Sequence, residues 1–283
     1  MTVLVVGASS PFGRRLAARL RDGGATVVGT ARDPRPGEDL VPCDVTRPEA
    51  VGELVATLRP RLVFQLAARH DGPFEAAFAV NAGAAQTILE AVAREATGSR
   101  VVLIGSAAEY GVVAPEENPV TVERALRPVS LYGMGKAIQT QIASHYARGR
   151  GVDVVVARMF NLKMPGLADR LFLGHVERQV AAVRAGKQAK VRVGNLEAVR
   201  DYVDIEDALR QLSDIAARGR AGAVYHVASG RPTRMGDLFD EMLAAAGLDR
   251  SVVETIPAEA VRPGYDVPVI YADIAPTLAL RAG

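Results

Sequence analysis

The chain has 283 residues, which is long enough to bury a sizeable core as one large domain or as one domain with a small lobe. Its formal net charge is only +2 and it has no basic run, so nucleic acid is not expected as the main partner. No apolar run approaches membrane-spanning length, and a strand that starts by Thr2 leaves no room for a signal peptide. A single cysteine, Cys43, excludes an internal disulfide bond and favours a reducing compartment. We therefore expect a cytoplasmic globular protein that has neither nucleic acid nor a membrane as its partner.

Short apolar runs alternate with amphipathic stretches through the first half of the chain. Continuous apolar runs are typical of buried parallel strands, whereas helices repeat apolar residues every three or four positions. The repeated strand–helix–strand order predicts an α/β fold with a doubly wound parallel sheet of the Rossmann type. The predicted strands are Val3–Val6, Ala25–Thr30, Leu62–Leu66, Val101–Gly105 and Val152–Ala157. The predicted helices are Phe12–Asp22, Pro48–Leu58, Pro73–Ala96 and Leu131–Arg148.

This pattern loosens after about residue 158, where proline and glycine interrupt short helices and strands. Two later segments, Ile205–Ala217 and Ala223–Val227, are expected to return to the main domain. We therefore predict a dinucleotide-binding domain of residues 1–158 and 204–228, with a smaller substrate-binding lobe of residues 159–203 and 229–283. Ligands of such sheets bind at the carboxyl ends of the strands, so the lobe is expected to close over that edge.

A glycine-punctuated turn joins the first predicted strand to the first predicted helix, which is the context that a phosphate-binding turn needs. Gly7 permits the tight turn, and Gly13 lets the helix pack closely on the strand. The amides at the start of the helix suit a pyrophosphate, although a purely structural turn is the alternative. The predicted cofactor contacts in the turn are Gly7, Ser9, Ser10, Phe12 and Gly13.

The end of the second predicted strand bears on the choice between NAD and NADP. A carboxylate at this position would bind the ribose hydroxyls of NAD, whereas an arginine suits the 2′-phosphate of NADP. Arg32 stands at that position with Asp33 beside it, so we favour NADP, and NAD remains possible. Asp44, with the neighbouring Val45, is a candidate contact for the adenine; alternatively, Asp44 caps the helix that follows Thr46.

Tyr132 and Lys136 form a Tyr-x-x-x-Lys pair, and Ser106 ends an apolar run upstream. Residues four apart lie on one face of a helix, where the ammonium can lower the pKa of the phenol toward neutrality. Joined to a dinucleotide site, the three residues predict hydride transfer to a carbonyl. Tyr132 would donate the proton, Lys136 would tune it and contact the ribose, and Ser106 would hold the substrate oxygen. The pair alone also occurs on solvated helix faces, so that alternative stays open.

The remaining chemistry-bearing residues predict neither a metal site nor a hydrolase. The four histidines are scattered and none has ligand spacing to another histidine or to Cys43, so each is expected to be a surface or core residue. No Gly-x-Ser-x-Gly elbow is present. The histidines are His70, His145, His175 and His226.

Several motifs resemble those of the extended short-chain dehydrogenase/reductase superfamily, over nearly the whole chain. Gln65-Leu66-Ala67-Ala68 is similar to its strand-four motif, and Asn81 matches an asparagine on the following helix. Tyr110-Gly111 also follows the pattern, as does Arg158-Met159-Phe160-Asn161 in the second half. The resemblance implies a nicotinamide cofactor beside Leu66, Ala67 and Ala68. It also implies a homodimer formed through the helix that carries Tyr132 and the helix before it.

The run from Val193 to Asp204 is the most discriminating stretch. It resembles the nucleotide-sugar branch that holds the GDP-mannose 4,6-dehydratases and the GDP-4-keto-6-deoxy-mannose reductases. By that resemblance Asn161, Asn195, Arg200 and Arg262 would contact a sugar nucleotide. The guanidinium groups of Arg200 and Arg262 are suited to bind a diphosphate, and the alternative is that they form surface salt bridges. The alternative for Asn161 is that it caps a turn.

One absence bears on the reaction. A 4,6-dehydratase needs an acid/base carboxylate, which the resembling dehydratases place two residues after the active hydroxyl. Ser106 is instead followed by Ala107 and Ala108, and Glu109 is expected to point elsewhere because side chains alternate in extended chain. We therefore predict NAD(P)H-dependent reduction of a nucleotide-diphosphate 4-keto-6-deoxy sugar. The alternatives are a 4-epimerase with the same triad, and, less favoured, a dehydratase or a non-catalytic NADP-binding sensor.

The sequence also departs from the family pattern. Ser10 replaces the middle glycine of the phosphate-binding fingerprint, and its hydroxyl is expected to compensate by donating a hydrogen bond. Leu162-Lys163-Met164 replaces a different stretch beside the sugar pocket, and the chain ends at Gly283 before a closing helix found in relatives. A shorter lobe and a different sugar or base are therefore expected.

Overall fold

A computed structural model describes residues 1–257 and 267–281. Its central feature is a seven-stranded sheet in the order β11-β6-β5-β4-β1-β2-β3, with all neighbouring strands parallel. This confirms the predicted α/β, doubly wound Rossmann architecture. The described strands are β1 (Thr2–Val6), β2 (Thr26–Ala31), β3 (Val41–Pro42), β4 (Leu62–Gln65), β5 (Arg100–Ser106), β6 (Asp153–Met159), β7 (Asn161–Lys163), β8 (Val191–Val193), β9 (Val199–Arg200), β10 (Tyr202–Asp204), β11 (Val224–Val227), β12 (Thr233–Arg234), β13 (Val253–Thr255) and β14 (Val269–Ile270).

Helices cover both faces of the sheet, which is why its central strands are apolar throughout rather than alternating. The two faces carry separate buried clusters, one centred on residues such as Ile88 and Val101 and the other on residues such as Leu16 and Val102. The described α-helices are α1 (Pro11–Asp22), α2 (Pro48–Leu58), α3 (Phe74–Phe78), α4 (Ala84–Glu95), α5 (Leu131–Arg150), α6 (Phe172–Arg184), α7 (Ile205–Arg218), α8 (Met235–Ala245) and α9 (Ala275–Ala279).

The predicted helix Pro73–Ala96 is not a single α-helix. A π-helical turn, Ala79–Gly83, separates α3 from α4. Asn81 lies in this turn, is buried, and uses its side chain to hold backbone of the preceding loop. Such insertions widen the helix by one residue and are frequent at functional sites.

The combined segment Phe74–Glu95 has 22 residues, and an 18-residue window within it has a mean hydropathy of 1.2, so by length and composition alone it could cross a membrane. Half of that window is buried inside the protein, and the core helix of a globular protein has the same character.

Residues after β6 form three small sheets in addition to completing the large one. These sheets pair β10 with β7, β13 with β8, and β9 with both β12 and β14. A separate apolar cluster that includes Val176, Val193 and Phe239 packs under α6 and α8. The division of the chain into a dinucleotide-binding domain and a substrate-binding lobe stays a prediction.

Candidate active site

The turn between β1 and α1 requires glycine at two positions. Gly7 has φ of +80°, and a Cβ there would lie 2.7 Å from the backbone nitrogen of Ala67. A Cβ on Gly13 would lie 2.8 Å from the Cα of Ala8. The turn is therefore pressed between α1 and the end of β4, and it directs the first-turn amides of α1 toward the carboxyl edge of the sheet.

Ser10, the residue that replaces the family's middle glycine, is the N-cap of α1. Its hydroxyl oxygen accepts from the backbone N–H of Gly13 at 3.0 Å, and the hydroxyl is 3.4 Å from the carbonyl of Gly7. The serine thus satisfies one helix amide, which a glycine could not do. Ser9 and Phe12 flank this cap and are partly buried.

Two carboxylates stand near the tip of β2. The Arg32 Nε donates to Asp33 Oδ2 at 2.7 Å, and both side chains are largely exposed. Asp44 Oδ1 accepts from both the backbone N–H and the hydroxyl of Thr46, at 2.9 and 2.7 Å, while Val45 is buried. Asp44 therefore closes a local turn, whereas the N-cap of α2 is Arg47. The cofactor roles of Arg32, Asp44 and Val45 stay predictions.

Ser106 and Tyr132 are brought together at the carboxyl end of β5. The Ser106 hydroxyl oxygen accepts from the Ala108 backbone N–H at 3.2 Å and lies near enough to Tyr132 to affect the pKa of its phenol. Burial raises the pKa of Tyr132 to about 12, and the polar Ser106 side chain opposes that rise. The phenol is therefore protonated at neutral pH, the state that a proton donor needs.

Lys136 is almost fully buried, with 1% of its side chain exposed. Its ammonium donates to the carbonyl of Ile104 at 2.8 Å and to Gln139 Oε1 at 3.0 Å. Burial lowers the pKa of Lys136 to about 8, and the charge of Glu109 opposes that fall. We expected the ammonium to lower the pKa of Tyr132, and this was wrong, because burial has the largest effect on that pKa and raises it. Among the described residues, the ammonium hydrogen-bonds the Ile104 carbonyl on β5 and the Gln139 side chain.

The two glycines inside Tyr132–Lys136 let α5 approach its neighbours. A Cβ on Gly133 would collide with the carbonyl oxygen of Ala108, in the loop after Ser106. A Cβ on Gly135 would lie 2.9 Å from the Cβ of Asn81, in the π-helical turn. Small residues at these positions therefore set the distance between the Tyr132 helix and the strand ends.

Replacing Gly135 with alanine should push α5 away from Asn81 and destabilise the protein by about 1–3 kcal/mol, as overpacking does. Gly52→Ala is the matched control, because Gly52 lies inside α2 and a methyl group added there would have nothing within 4 Å. That variant should gain about 0.5–1 kcal/mol of helix stability. Urea denaturation of both variants checks the opposite signs, and equal effects would contradict this packing account.

Asn81 fixes the loop that follows β4. Its Oδ1 accepts from the Arg69 backbone N–H at 2.8 Å, and its Nδ2 donates to the Arg69 carbonyl at 2.6 Å. Both backbone groups of one residue are thus held by one buried side chain. Leu66, Ala67 and Ala68 lie just before this point, so the predicted cofactor-facing segment has a fixed path.

His70 follows this anchored residue and stacks on Tyr132. The two ring centroids are 3.9 Å apart and the planes are inclined by 25°. His70 is exposed, in agreement with one of the two predicted locations, but no role in the site was predicted for it. No spacing signal could have found it, because the contact joins residues far apart in the chain.

Replacing His70 with alanine should lower kcat about 2- to 10-fold, the range that a lost aromatic stack of ~0.5–1.5 kcal/mol gives. His70→Phe keeps a ring on Tyr132 and should stay close to wild type. Steady-state kinetics of both variants measure this. A phenylalanine variant as slow as the alanine variant would show that the imidazole itself, rather than the stack, is needed.

Glu109 does not face Tyr132 across the site. Its side chain is fully buried, with Oε1 accepting from the Ser106 backbone N–H at 2.7 Å and Oε2 accepting from Arg158. The expectation that Glu109 points elsewhere is confirmed. The reason differs from the one predicted, because residues 107–109 form a turn of 3₁₀-helix rather than extended chain.

The described substrate candidates make local contacts. Asn161 Nδ2 donates to the Asp201 carbonyl at 3.0 Å, and Asn195 Oδ1 accepts from the Glu197 backbone N–H at 2.9 Å. Arg200 Nη1 donates to the Val199 carbonyl at 2.9 Å. Arg262 lies outside the described residues. Their roles toward a sugar nucleotide stay predictions.

Asp201 lies in the same run, and no role was predicted for it from the sequence. Its fully buried carboxylate accepts from the backbone N–H groups of Ser229, Gly230 and Ala272 and from the Ser229 hydroxyl. Burial raises its pKa, and these hydrogen bonds oppose the rise. Asp201 thus ties the loop after β11 to the segment that carries Arg200.

Comparison with known proteins agrees with this geometry. The model of the NAD dependent epimerase/dehydratase family matches residues 3–228, which include the glycine turn, Ser106, Tyr132 and Lys136. The chain belongs to this family. As a member of the NAD dependent epimerase/dehydratase family, it is an extended short-chain dehydrogenase/reductase.

Two relatives and one solved structure are 26–29% identical to the chain over the aligned residues. GDP-6-deoxy-D-mannose reductase of Pseudomonas aeruginosa is 28% identical over 218 residues, which are 75% of this chain and 71% of that protein. dTDP-6-deoxy-L-talose 4-dehydrogenase (NAD(P)(+)) of Kitasatospora kifunensis is 29% identical over 265 residues, 90% of this chain and 82% of that protein. The structure of MoeE5 in complex with UDP-glucose and NAD is 26% identical, with a TM-score of 0.83, and covers 99% of this chain and 91% of that chain.

Proposed function

We propose that the protein is an NADP-preferring reductase of a nucleotide-diphosphate 4-keto-6-deoxy sugar. The proposal rests on two observations. Ser106 lies beside a protonated Tyr132, and Ala108 stands where a dehydratase would need a carboxylate. The pairing supplies what a ketone reduction requires of the protein. The alanine removes what a dehydration requires in addition.

The residues present fit a nicotinamide dinucleotide. The glycine turn and the start of α1 form a cradle that a Cβ at Gly7 or Gly13 would fill, and helix amides there suit a pyrophosphate. Gly7, Ser9, Ser10, Phe12 and Gly13 would hold the phosphates. The residues Arg32, Asp44, Val45, Leu66, Ala67, Ala68 and Lys136 would line the adenosine and nicotinamide ends. The bound cofactor supplies the hydride for the sugar carbonyl.

The chain's own residues handle the carbonyl oxygen. The Ser106 hydroxyl and the Tyr132 phenol converge on one point, where both can donate hydrogen bonds to the oxygen as its negative charge develops. Tyr132 then gives up its proton to that oxygen. Lys136, on the next turn of the same helix, would contact the ribose of the cofactor. Its positive charge would favour the phenolate only at longer range, because its ammonium hydrogen-bonds the Ile104 carbonyl and Gln139.

Reduction is favoured over dehydration by the residues after Ser106. A dehydration must also remove a proton from C5 and expel the C6 hydroxyl, for which Ala107 and Ala108 have no group. Glu109 is the next carboxylate, and both of its oxygens are committed to Ser106, Thr140 and Arg158 in the interior. The turn of 3₁₀-helix that points it inward supports the simpler reaction.

The names of two relatives support the same class of substrate. One is named a GDP-6-deoxy-D-mannose reductase, and the other a dTDP-6-deoxy-L-talose 4-dehydrogenase (NAD(P)(+)). A reductase and a dehydrogenase of this kind run one reaction in opposite directions. We therefore infer redox chemistry at C4 of a nucleotide-bound deoxy sugar.

The preference for NADP rests on Arg32. Its guanidinium is exposed at the end of β2, where it can pair with a 2′-phosphate, although it now pairs with Asp33. We infer that the phosphate replaces Asp33 as its partner. Asn161, Asn195, Arg200 and Arg262 are proposed to bind the sugar nucleotide, and a cytoplasmic homodimer is proposed as the working form.

A direct spectrophotometric assay tests the proposal. Purified protein is mixed with NADPH or NADH and with GDP- or dTDP-linked 4-keto-6-deoxy sugars, and the absorbance at 340 nm is followed. We expect stoichiometric consumption of cofactor, faster with NADPH. A protein that carries tightly bound cofactor and interconverts sugars without net oxidation would be a 4-epimerase, and no turnover with any nucleotide keto-sugar would refute the enzyme proposal.

A further inference from the structure

Glu109 is a buried carboxylate that the proposed reaction does not use. Its side chain is 0% exposed, in a protein whose other glutamates lie mostly on the surface. Residue 105 is a glycine, and a Cβ there would lie 2.6 Å from Glu109 Oε1. The strand before Ser106 therefore leaves room for this carboxylate to fold back under the site.

The carboxylate joins three elements that meet at the site. Oε1 accepts from the Ser106 backbone N–H at 2.7 Å, at the end of β5. Oε2 accepts from the Thr140 hydroxyl on α5 at 2.8 Å. The same oxygen accepts from Nε and Nη2 of Arg158 on β6 at 3.1 and 2.9 Å. One side chain thus ties Ser106 to the helix that carries Tyr132 and Lys136.

Two structural elements place Lys136 near this cluster, α5 through Thr140 and β5 through Ile104. Thr140 is one helical turn after Lys136, on the same face of α5. The carbonyl that accepts from the Lys136 ammonium belongs to Ile104, two residues before Ser106. The other partner of the ammonium, Gln139, is neutral and also donates to that carbonyl.

We propose that Glu109 is a positioning residue that fixes Ser106 against α5 and supplies the buried negative charge opposite the Lys136 ammonium. This inference rests on the proposed function, because it gives Lys136 its electrostatic role in the reduction. A buried ammonium is costly without a nearby carboxylate, since both desolvation and the absence of a countercharge favour its neutral form. Glu109 offsets that cost without touching the substrate.

The electrostatic direction agrees with the geometry. The charge of Glu109 raises the pKa of both Lys136 and Tyr132. It opposes the effect of burial on Lys136, whose pKa burial lowers, and adds to the effect of burial on Tyr132, whose pKa burial raises. Removing the charge should therefore shift both titrations to lower pH. The other ionisable groups of this region are Arg158 from β6, Tyr110 from the same loop, His226 from β11, and Glu123 and Arg170 from neighbouring loops.

The test measures Lys136 directly, without substrate or cofactor. Lysine labelled with ¹³C at Cε gives four signals in this chain, and Lys136→Met assigns the one of interest. In the wild-type protein we expect that signal to titrate near pH 8. In Glu109→Gln, which keeps the shape but removes the charge, it should titrate at lower pH.

Two further proteins complete the design. Glu116→Gln removes the same charge from an exposed position and should leave the Lys136 titration unchanged. If Glu109→Gln does not fold, the double variant Glu109→Gln/Arg158→Met removes both buried charges. It should still show a downward shift, smaller than that of Glu109→Gln because the loss of the Arg158 cation acts in the opposite direction. The same Lys136 midpoint with and without Glu109 would overturn the proposal. A shifted midpoint in a protein that reduces no keto-sugar would instead refute the proposed function alone.

Discussion

Replacing Tyr132 with phenylalanine should lower kcat by about 10²–10⁴-fold, the usual contribution of a positioned proton donor. The variant loses only the hydroxyl, so the ring still stacks on His70 and still fills the space beside Ser106. The oxygen of the substrate then develops negative charge with no acid to protonate it. KM for the sugar should change far less than kcat, since the loss is felt mainly in the transition state.

Tyr225→Phe is the matched control, because that hydroxyl accepts a hydrogen bond from the Arg220 backbone far from Ser106. It should keep wild-type kcat. Cofactor binding by Tyr132→Phe, measured by fluorescence of NADPH, should also be unchanged. A Tyr132→Phe protein with nearly normal kcat would contradict the assignment of the proton donor.

Replacing Arg158 with methionine should destabilise the protein by about 3–5 kcal/mol, the cost of leaving one partner of a buried ion pair uncompensated. The Arg158 side chain is 1% exposed and donates to Glu109 and to the Tyr110 hydroxyl, the latter at 2.7 Å. Its guanidinium also lies over the Tyr110 ring, 4.7 Å from the centroid. Without it the Glu109 carboxylate stays buried with only the Ser106 amide and the Thr140 hydroxyl as partners.

Arg178→Met is the control for this prediction. Arg178 also forms an ion pair, with Asp169 at 2.7 Å, but its side chain is 60% exposed. Solvent screens such a pair, so its loss should have a much smaller effect. Urea denaturation of both variants provides the comparison, and equal losses would mean that burial does not set the strength of the Arg158 pair.

The donors and acceptors can be assigned in the buried hydrogen-bond network of Arg158, Tyr110 and His226. His226 Nδ1 is 2.8 Å from the carbonyl of Asp273, so this nitrogen must donate. Burial lowers the pKa of His226 to about 4, which leaves Nε2 as an acceptor at neutral pH. The Tyr110 hydroxyl has two acceptors for its one hydrogen, His226 Nε2 at 2.5 Å and the Thr121 carbonyl at 3.1 Å, while its oxygen accepts from Arg158.

Local patterns were sufficient to predict the frame of the site. The strands that end at Val6 and Ser106, the glycine turn and the start of α5 each have a signal within a few residues, because backbone geometry and burial act locally. The helix α2 has the predicted bounds, Pro48–Leu58. The resemblance in the second half added the nucleotide-sugar branch, which composition and periodicity alone do not indicate.

Contacts between distant segments could not be predicted in the same way. The stack of His70 on Tyr132 depends on where two loops meet, and the π-helical turn depends on Asn81 finding the Arg69 backbone. The high pKa of Tyr132 follows from burial by the whole fold, whereas the spacing to Lys136 predicted the opposite shift. Such properties are set by tertiary packing and leave no periodic signal.

The most direct measurement follows the hydride itself. NADPH that carries deuterium at both C4 positions of the nicotinamide is supplied with a nucleotide-linked 4-keto-6-deoxy sugar, and the product is examined by NMR and mass spectrometry. We expect one deuterium at C4 of the sugar and one NADP⁺ formed for each product molecule. A product without deuterium at C4, or a sugar converted with no net formation of NADP⁺, would contradict the claim that this protein is a ketoreductase.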